Sequence, residues 1–244
     1  MLDIVGFCGL TIVVFLGWFT VQQKTRKVLL NPVLMSLLTL IGLFLLLGIP
    51  YSDYMQGAQY INILLEPAVV LLGYPLYKQL RLLRAQWRKI VLICFIAAFS
   101  SLTISALLAN VMGLEDWLIA SLVTLNITTA IAMSTSAELG GTGAITANIV
   151  FIGGMTGSIA GVYWLRLIGV IQPISDNLST SSRESITEQK ALGLAIGSTA
   201  HAIGTATIVK EFPLGAAYSS TALILCAIIS AIIAPFYIPL LLSF

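Results

Sequence analysis

Long apolar runs separated by short polar breaks recur along the whole chain, at residues 4–21, 32–49, 60–77, 90–112, 117–136, 144–168, 191–209 and 214–242. A helix needs about 20 residues to cross a hydrocarbon core of roughly 30 Å, and each run is close to that length. The pattern predicts an all-α polytopic membrane protein with about seven or eight transmembrane or re-entrant segments. The fifth run is the most polar, because it holds Asn126, Thr128, Thr129, Ser134, Thr135 and Ser136, with Glu138 just beyond. Such a segment needs protein around it, so a discontinuous or re-entrant element is expected there.

Two further runs look interrupted. Glu66-Pro67 and Gly73-Tyr74-Pro75 punctuate the third, where each proline removes a backbone donor and clashes with the preceding turn. Gly193, Gly197 and Gly204 punctuate the seventh. Breaks at corresponding places in two halves point to a binding site at mid-membrane between structural repeats. The expected division is residues 1–113 and 114–244, two inverted repeats of four segments each with discontinuous helices.

Composition settles the class. The chain is 58% apolar and only 9% charged, against about 25% charged in soluble domains, and its mean hydropathy is +1.01. A large extramembrane domain has no room. The first run follows Asp3 rather than a basic stretch, so it reads as a retained span and not as a cleaved leader. Cys8, Cys94 and Cys226 sit inside apolar runs without metal-ligand spacing, which favours buried small hydrophobes over disulfides or zinc.

Charge sets the expected orientation. Eight of the twelve Lys and Arg residues fall in two breaks, Lys24/Arg26/Lys27 and Lys78/Arg81/Arg84/Arg88/Lys89. The positive-inside rule assigns both to the cytoplasm and the N-terminus to the outside. The breaks 50–59 and 113–116 then face outward. The stretch 172–190 mixes Asp176, Glu184 and Glu188 with Arg183 and Lys190 and leaves the later sidedness open. The C-terminus is outside if every run crosses, and inside if the fifth is re-entrant.

The only histidine, His201, lies in Gly-Ser-Thr-Ala-His-Ala-Ile-Gly-Thr-Ala at membrane depth, residues 197–206. It reads either as a neutral ring packed between helices or as a group that contacts an anion or carries a proton. Thr199, Gly204, Thr205 and Thr207 surround it, and a half-helix N-terminus there would suit a carboxylate. Glu66 is either an interfacial carboxylate or, if deep, a proton-coupling one. Asn126, Thr128 and Thr129 offer uncharged groups for a small polar solute or a sodium ion, with hydroxyl back-bonding as the plain alternative. The expected substrate-binding set is Asn126, Thr128, Thr129, His201, Gly204 and Thr205, with His201 and Glu66 as the proton-coupling candidates.

Other features read as structural. Gly140-Gly141-Thr142-Gly143 lacks the lysine of a phosphate loop and reads as a tight break. Gly153, Gly154, Gly157 and Gly161 let helix backbones approach closely. Trp87, Arg88 and Lys89 form one interfacial anchor and Trp117 another. No serine–histidine–carboxylate order, metal cluster or useful carboxylate pair is visible, so no enzyme activity, cofactor, metal or nucleic-acid partner is expected.

Several of these motifs together resemble the LrgB/CidB membrane proteins, which include the plastid glycolate/glycerate translocators. The residues that carry the likeness are Asn31-Pro32, Pro67-Ala68 with Tyr74-Pro75-Leu76-Tyr77, Gly140-Gly141 followed by Ile145-Thr146-Ala147, and His201-Ala202-Ile203-Gly204-Thr205-Ala206 with Gly215-Ala216. The resemblance spans nearly the whole chain. It implies a transporter of small carboxylates such as glycolate, glycerate or pyruvate, often paired with a small LrgA-type membrane protein. It also implies an alternative role, a holin or antiholin in murein hydrolase control and lysis. A more distant kinship with cation/proton-antiporter and anion-transporter folds implies inverted repeats and crossing broken helices. The sequence departs from the family run Pro-Lys-Ser-Val-Thr-Thr-Pro-Ile-Ala at 124–132, where Leu125 replaces the lysine and both prolines are missing. Glu66 stands where the family usually has glycine.

The expected function is a secondary transporter of a small organic acid in the bacterial inner membrane, working by alternating access with proton coupling through His201 or Glu66. A homodimer or higher homo-oligomer is the expected assembly. The contrasting expectation is a lysis regulator that oligomerises through the Gly153–Gly161 face.

Overall fold

Helices account for every regular element among the described residues of the computed structural model, because a chain this apolar must pair its backbone groups internally. The structure describes residues 2–25, 30, 32–64, 67, 77, 80–171, 182–209 and 211–242, those at 2–4, 62, 80–83, 85 and 182–185 by backbone alone. Two compact units, Met1–Leu71 and Leu72–Phe244, divide the chain. This division by compactness falls elsewhere than the repeat boundary expected at 113/114.

The first unit contains α1 (Leu2–Thr25), α2 (Pro32–Leu47) and α3 (Tyr51–Asn62), with α1 packed on both others. An aromatic cluster joins the three: Phe7 meets Phe44 and Tyr54 at 6.0 and 5.9 Å, and Phe44 meets Tyr54 at 4.9 Å. Cys8 Sγ donates to the Gly57 carbonyl at 2.9 Å. The stretch expected to be an outward break at 50–59 is therefore mostly helix. Pro50 starts it in an extended conformation, and Tyr54 gives it an apolar face that hydropathy alone does not show. Glu66 and residues 68–76, and with them most of the third run's interruption, lie outside the described residues.

The second unit contains α4 (Leu80–Val111), α5 (Asp116–Leu122), α6 (Thr129–Glu138), α7 (Gly143–Leu167), α8 (Ser182–Thr199), α9 (His201–Ile208) and α10 (Pro213–Leu242). The spans long and apolar enough to cross a membrane are Val5–Thr25, Gln86–Val111, Gly143–Leu167 and Pro213–Leu242. Large apolar side chains such as Val111, Leu45 and Phe236 are exposed, which suits helices bathed in lipid. In α4 and α10 the order of contacts is the same. Ile90 and Cys94 pack with Tyr218 and Cys226, whereas Leu102 and Ala106 pack with Ala234 and Ile238, so the two helices run parallel.

The segments between these spans turn back. Leu139, at the end of α6, packs with Ala109, Ile119 and Val123, and the Thr142 amide donates to Ser121 Oγ at 2.8 Å. The pairing of 139–142 with 119–123 makes α5 and α6 antiparallel, a re-entrant hairpin that returns to the side where α4 ends. The fifth run is re-entrant, as its polarity implied. Gly113 and Gly140 stand at its two open ends with φ of 70° and 83°, a region that glycine enters without a Cβ clash.

A second hairpin enters from the opposite side. Ile208 of α9 joins Leu192 and Ile196 of α8 in one cluster, and a Cβ on Gly204 would lie 2.8 Å from Ile196 Cγ2. The seventh run therefore reverses at Ala200–His201 instead of crossing. Its glycines do not break it, contrary to the sequence expectation. Gly193 and Gly197 lie inside α8, where a Cβ would come within 2.1 Å of the Gly215 carbonyl oxygen and 2.2 Å of the Ser219 one. They are small so that α8 can rest on the backbone of α10. Each of α4 and α7 is thus followed by a hairpin on the side where it ends, and the two pairs run in opposite senses.

Candidate functional site

The two tips meet near mid-depth. Asn126 of the first tip donates through Nδ2 to Ser101 Oγ, and Ser101 lies ten residues before the end of α4, about 15 Å along the helix axis. On α7, Gly153 faces Leu125 and Gly154 faces the His201 ring, again about 15 Å from the helix start. That is half of a roughly 30 Å hydrocarbon core.

Local sequence explains each tip. The first is a set of turns over 123–128, with Leu125 N–H bonded to the Leu122 carbonyl and Ile127 N–H to that of Thr124. Thr128 then starts α6 in an extended conformation, and its Oγ1 is buried without a hydrogen-bond partner. In the second tip, His201 adopts φ 38°, and it is the one non-glycine residue with positive φ among those described. Histidine enters this region more readily than most residues, yet such a conformation usually persists where surrounding contacts hold it. Here the contacts are those of a niche cut into α7: a Cβ on Gly154 would fall 2.4 Å from His201 Cε1, and one on Gly157 would fall 2.6 Å from Ala200 Cβ.

A cavity of about 280 Å³ opens between the tips and α4. Its polar lining is Ser100, Ser101 and Ser105 of α4, Asn126 of the first tip, and Ser198 and Thr199 of the second, with Ala97 and Ile104 completing it. The hydroxyls of Ser198 and Thr199 donate to the Ala195 carbonyl at 3.1 and 2.8 Å, and that of Ser100 donates to Ala97 at 3.1 Å. Hydroxyls held this way turn lone pairs outward, so the lining accepts hydrogen bonds more readily than it gives them.

The structure brings together part of the expected set. Asn126 lines the cavity, Thr128 and Thr129 stand at the start of α6, and His201, 4% exposed with Nε2 unpaired, packs on Gly154 of α7 and is not among the lining residues. Gly204 faces Ala200 and Ile196 inside the second hairpin. Thr205 bonds to the His201 carbonyl and to Ser219 Oγ, both at 2.7 Å, and lines a separate apolar groove of about 210 Å³ between α9 and α10. Glu66 lies outside the described residues. Ser100, Ser101, Ser105 and Ser198 were not expected at the site. A cluster of three serines in a mostly apolar fourth run was the available signal, and its direction became visible only when the first tip was seen against it.

Long apolar spans that alternate with opposed helical hairpins define an all-α polytopic membrane protein. The chain matches the LrgB-like family over residues 11–240, and it belongs to that family. An uncharacterized protein of Haemophilus influenzae is 36% identical over 233 residues, covering 95% of this chain and 94% of that one. The holin-like proteins CidB of Staphylococcus epidermidis and Staphylococcus aureus are each 32% identical over 230 residues, 93% of this chain and 92% of theirs. No solved structure matches.

Proposed function

We propose that the protein is a secondary transporter of a small organic acid of the glycolate, glycerate or pyruvate kind, moved by alternating access at the hairpin tips, with no chemical step. The observation that carries this is the cavity itself, bounded by two re-entrant tips from opposite sides. At about 280 Å³ it lies just below the roughly 300–1,000 Å³ of drug-sized small-molecule sites, which suits a solute of few atoms. The starts of α6 and α9 lie at that depth, and helix N-termini favour a carboxylate. The acceptor-rich hydroxyl lining suits a solute that brings its own donor, such as the hydroxyl of a hydroxy acid.

Orientation follows from charge. Arg84, Arg88 and Lys89 at the start of α4, Arg166 at the end of α7 and Lys190 in α8 all belong to one side of the second unit, whereas Glu115, Asp116 and Glu138 belong to the other. Positive-inside then puts the second hairpin at the cytoplasmic face of a bacterial inner membrane and the end of α10 outside, with the N-terminus also outside. A small LrgA-type membrane protein and a second copy of the chain remain the proposed partners.

The name of the CidB relatives favours a second reading, a holin-like lysis regulator. Assembly through the Gly153–Gly161 face does not fit it well, because Gly154, Gly157 and Gly161 are filled by His201, Ala200 and Ile196 of the same chain. Purified protein in liposomes distinguishes the two. Transport gives saturable uptake of labelled glycolate that falls roughly 5- to 150-fold in Ser101→Ala and Asn126→Ala, the effect of losing about 1–3 kcal/mol of buried hydrogen bonding. Leakage of a trapped dye that rises with protein density, without saturable uptake, would reject transport in favour of the holin-like role.

A further inference from the structure

The cavity wall is lopsided in its hydrogen bonding. Ser100 gives its O–H to the Ala97 carbonyl at 3.1 Å, and Ser198 and Thr199 give theirs to that of Ala195 at 3.1 and 2.8 Å. A hydroxyl has one proton and two lone pairs, so these three oxygens have only lone pairs left to offer a solute. Asn126 gives one of its two N–H groups to Ser101 Oγ, and its amide oxygen adds a further acceptor.

Charge is missing from the same wall. Among the described residues no ionisable side chain lines the cavity. Lys89 lies eight residues before Ala97 on α4, and Lys190 lies eight before Ser198 on α8, about 12 Å along each helix axis. A carboxylate only accepts hydrogen bonds, so the helix starts at the tips match it and this wall does not. The wall matches a group that brings protons and no charge, which is an alcohol. Such a group needs only an acceptor when it leaves water, whereas an unpaired charge is costly to move.

We propose that the serine–threonine wall is a polyol subsite, which takes small uncharged polyols of the glycerol class and ranks hydroxylated acids above their oxo counterparts. Binding of the polyol stands on the wall alone, while the ranking among acids rests on the transport reading. Ser100 belongs to α4, Asn126 to the first tip, and Ser198 and Thr199 to the second hairpin. Hydroxyls on neighbouring carbons bring a proton for more than one of these elements, and a single hydroxyl brings one. The cavity of about 280 Å³ has room for a three-carbon polyol with a few waters, each water taking about 30 Å³ in the liquid.

The experiment uses the whole protein in liposomes, with uptake of labelled glycolate challenged by unlabelled competitors in matched pairs. Lactate and pyruvate differ only in a hydroxyl against a carbonyl, and glycerol and 1-propanol differ only in two hydroxyls. Lactate should compete at a concentration at least about tenfold below pyruvate, and glycerol at least about tenfold below 1-propanol, because a site that hydrogen-bonds a hydroxyl rejects the analogue without it. Thr199→Val and Ser100→Ala should each shrink both ratios several-fold. Equal competition within either pair in wild type would overturn the proposal and leave transport standing. A wild type that takes up no glycolate sinks the transport reading, and the thermal midpoint in detergent then decides the subsite. Glycerol should raise it further in wild type than in Thr199→Val, since binding adds to the general osmolyte effect that both share. Equal rises would remove the polyol subsite.

Discussion

A methyl group on Gly193 or Gly197 would run into main chain, the carbonyl oxygens of Gly215 and Ser219, and backbone cannot swing aside as a side chain can. Gly193→Ala and Gly197→Ala are therefore expected to lower the thermal midpoint in detergent, through about 1–3 kcal/mol of overpacking. Gly9→Ala and Gly17→Ala, inside α1 with open space around them, should leave it unchanged or raise it through the better helix propensity of alanine. Four equal midpoints would mean that α8 does not rest on α10 in this manner. In the sequence these glycines looked like breakers, since the carbonyl each one admits lies 22 residues further along the chain. His201 was legible because an ionisable ring stands out in an apolar run, but its φ of 38° was not, because tertiary contacts impose it.

At the scale of elements, the two hairpins differ in how openly the sequence declares them. The first carries Asn126, Thr128 and Thr129 at its tip, too polar for a span exposed to lipid, so a discontinuous or re-entrant element was expected there, with a full crossing left open. The second run is 19 residues long over 191–209, the length of a crossing, and it reverses at one junction, Ala200–His201, that carries neither proline nor glycine. Length mimicked a span, so the reversal stayed hidden. Single cysteines in a background without Cys8, Cys94 and Cys226 test both hairpins. Cysteines replacing Asp116 and Glu138 should react with an impermeant maleimide from one side, and a cysteine replacing Glu211 from the other. Labelling of positions 116 and 138 from opposite sides would show that the fifth run crosses.

For the molecule as a whole, two reversals cancel, so α10 ends on the side where α4 ends. The sequence left this open because it offered one re-entrant run or none, and either choice set the final sidedness. A periplasm-dependent reporter fused after Phe244 should be active, and one fused within 172–181 inactive; the opposite pattern would refute the assignment. The aromatic joint of the first unit and the helix at 51–62 were unreadable for a different reason, since Phe7, Phe44 and Tyr54 come together only in three dimensions. One consequence concerns α7. Glycine weakens a helix by roughly 1 kcal/mol relative to alanine, and α7 carries Gly153, Gly154, Gly157 and Gly161 in a row under the docked tips. Left bare, that stretch is a compliant rod; filled, it is stiff. Adjacent residues seat the two tips, Leu125 on Gly153 and the imidazole on Gly154, so neither tip can lift without softening the spring that holds the other.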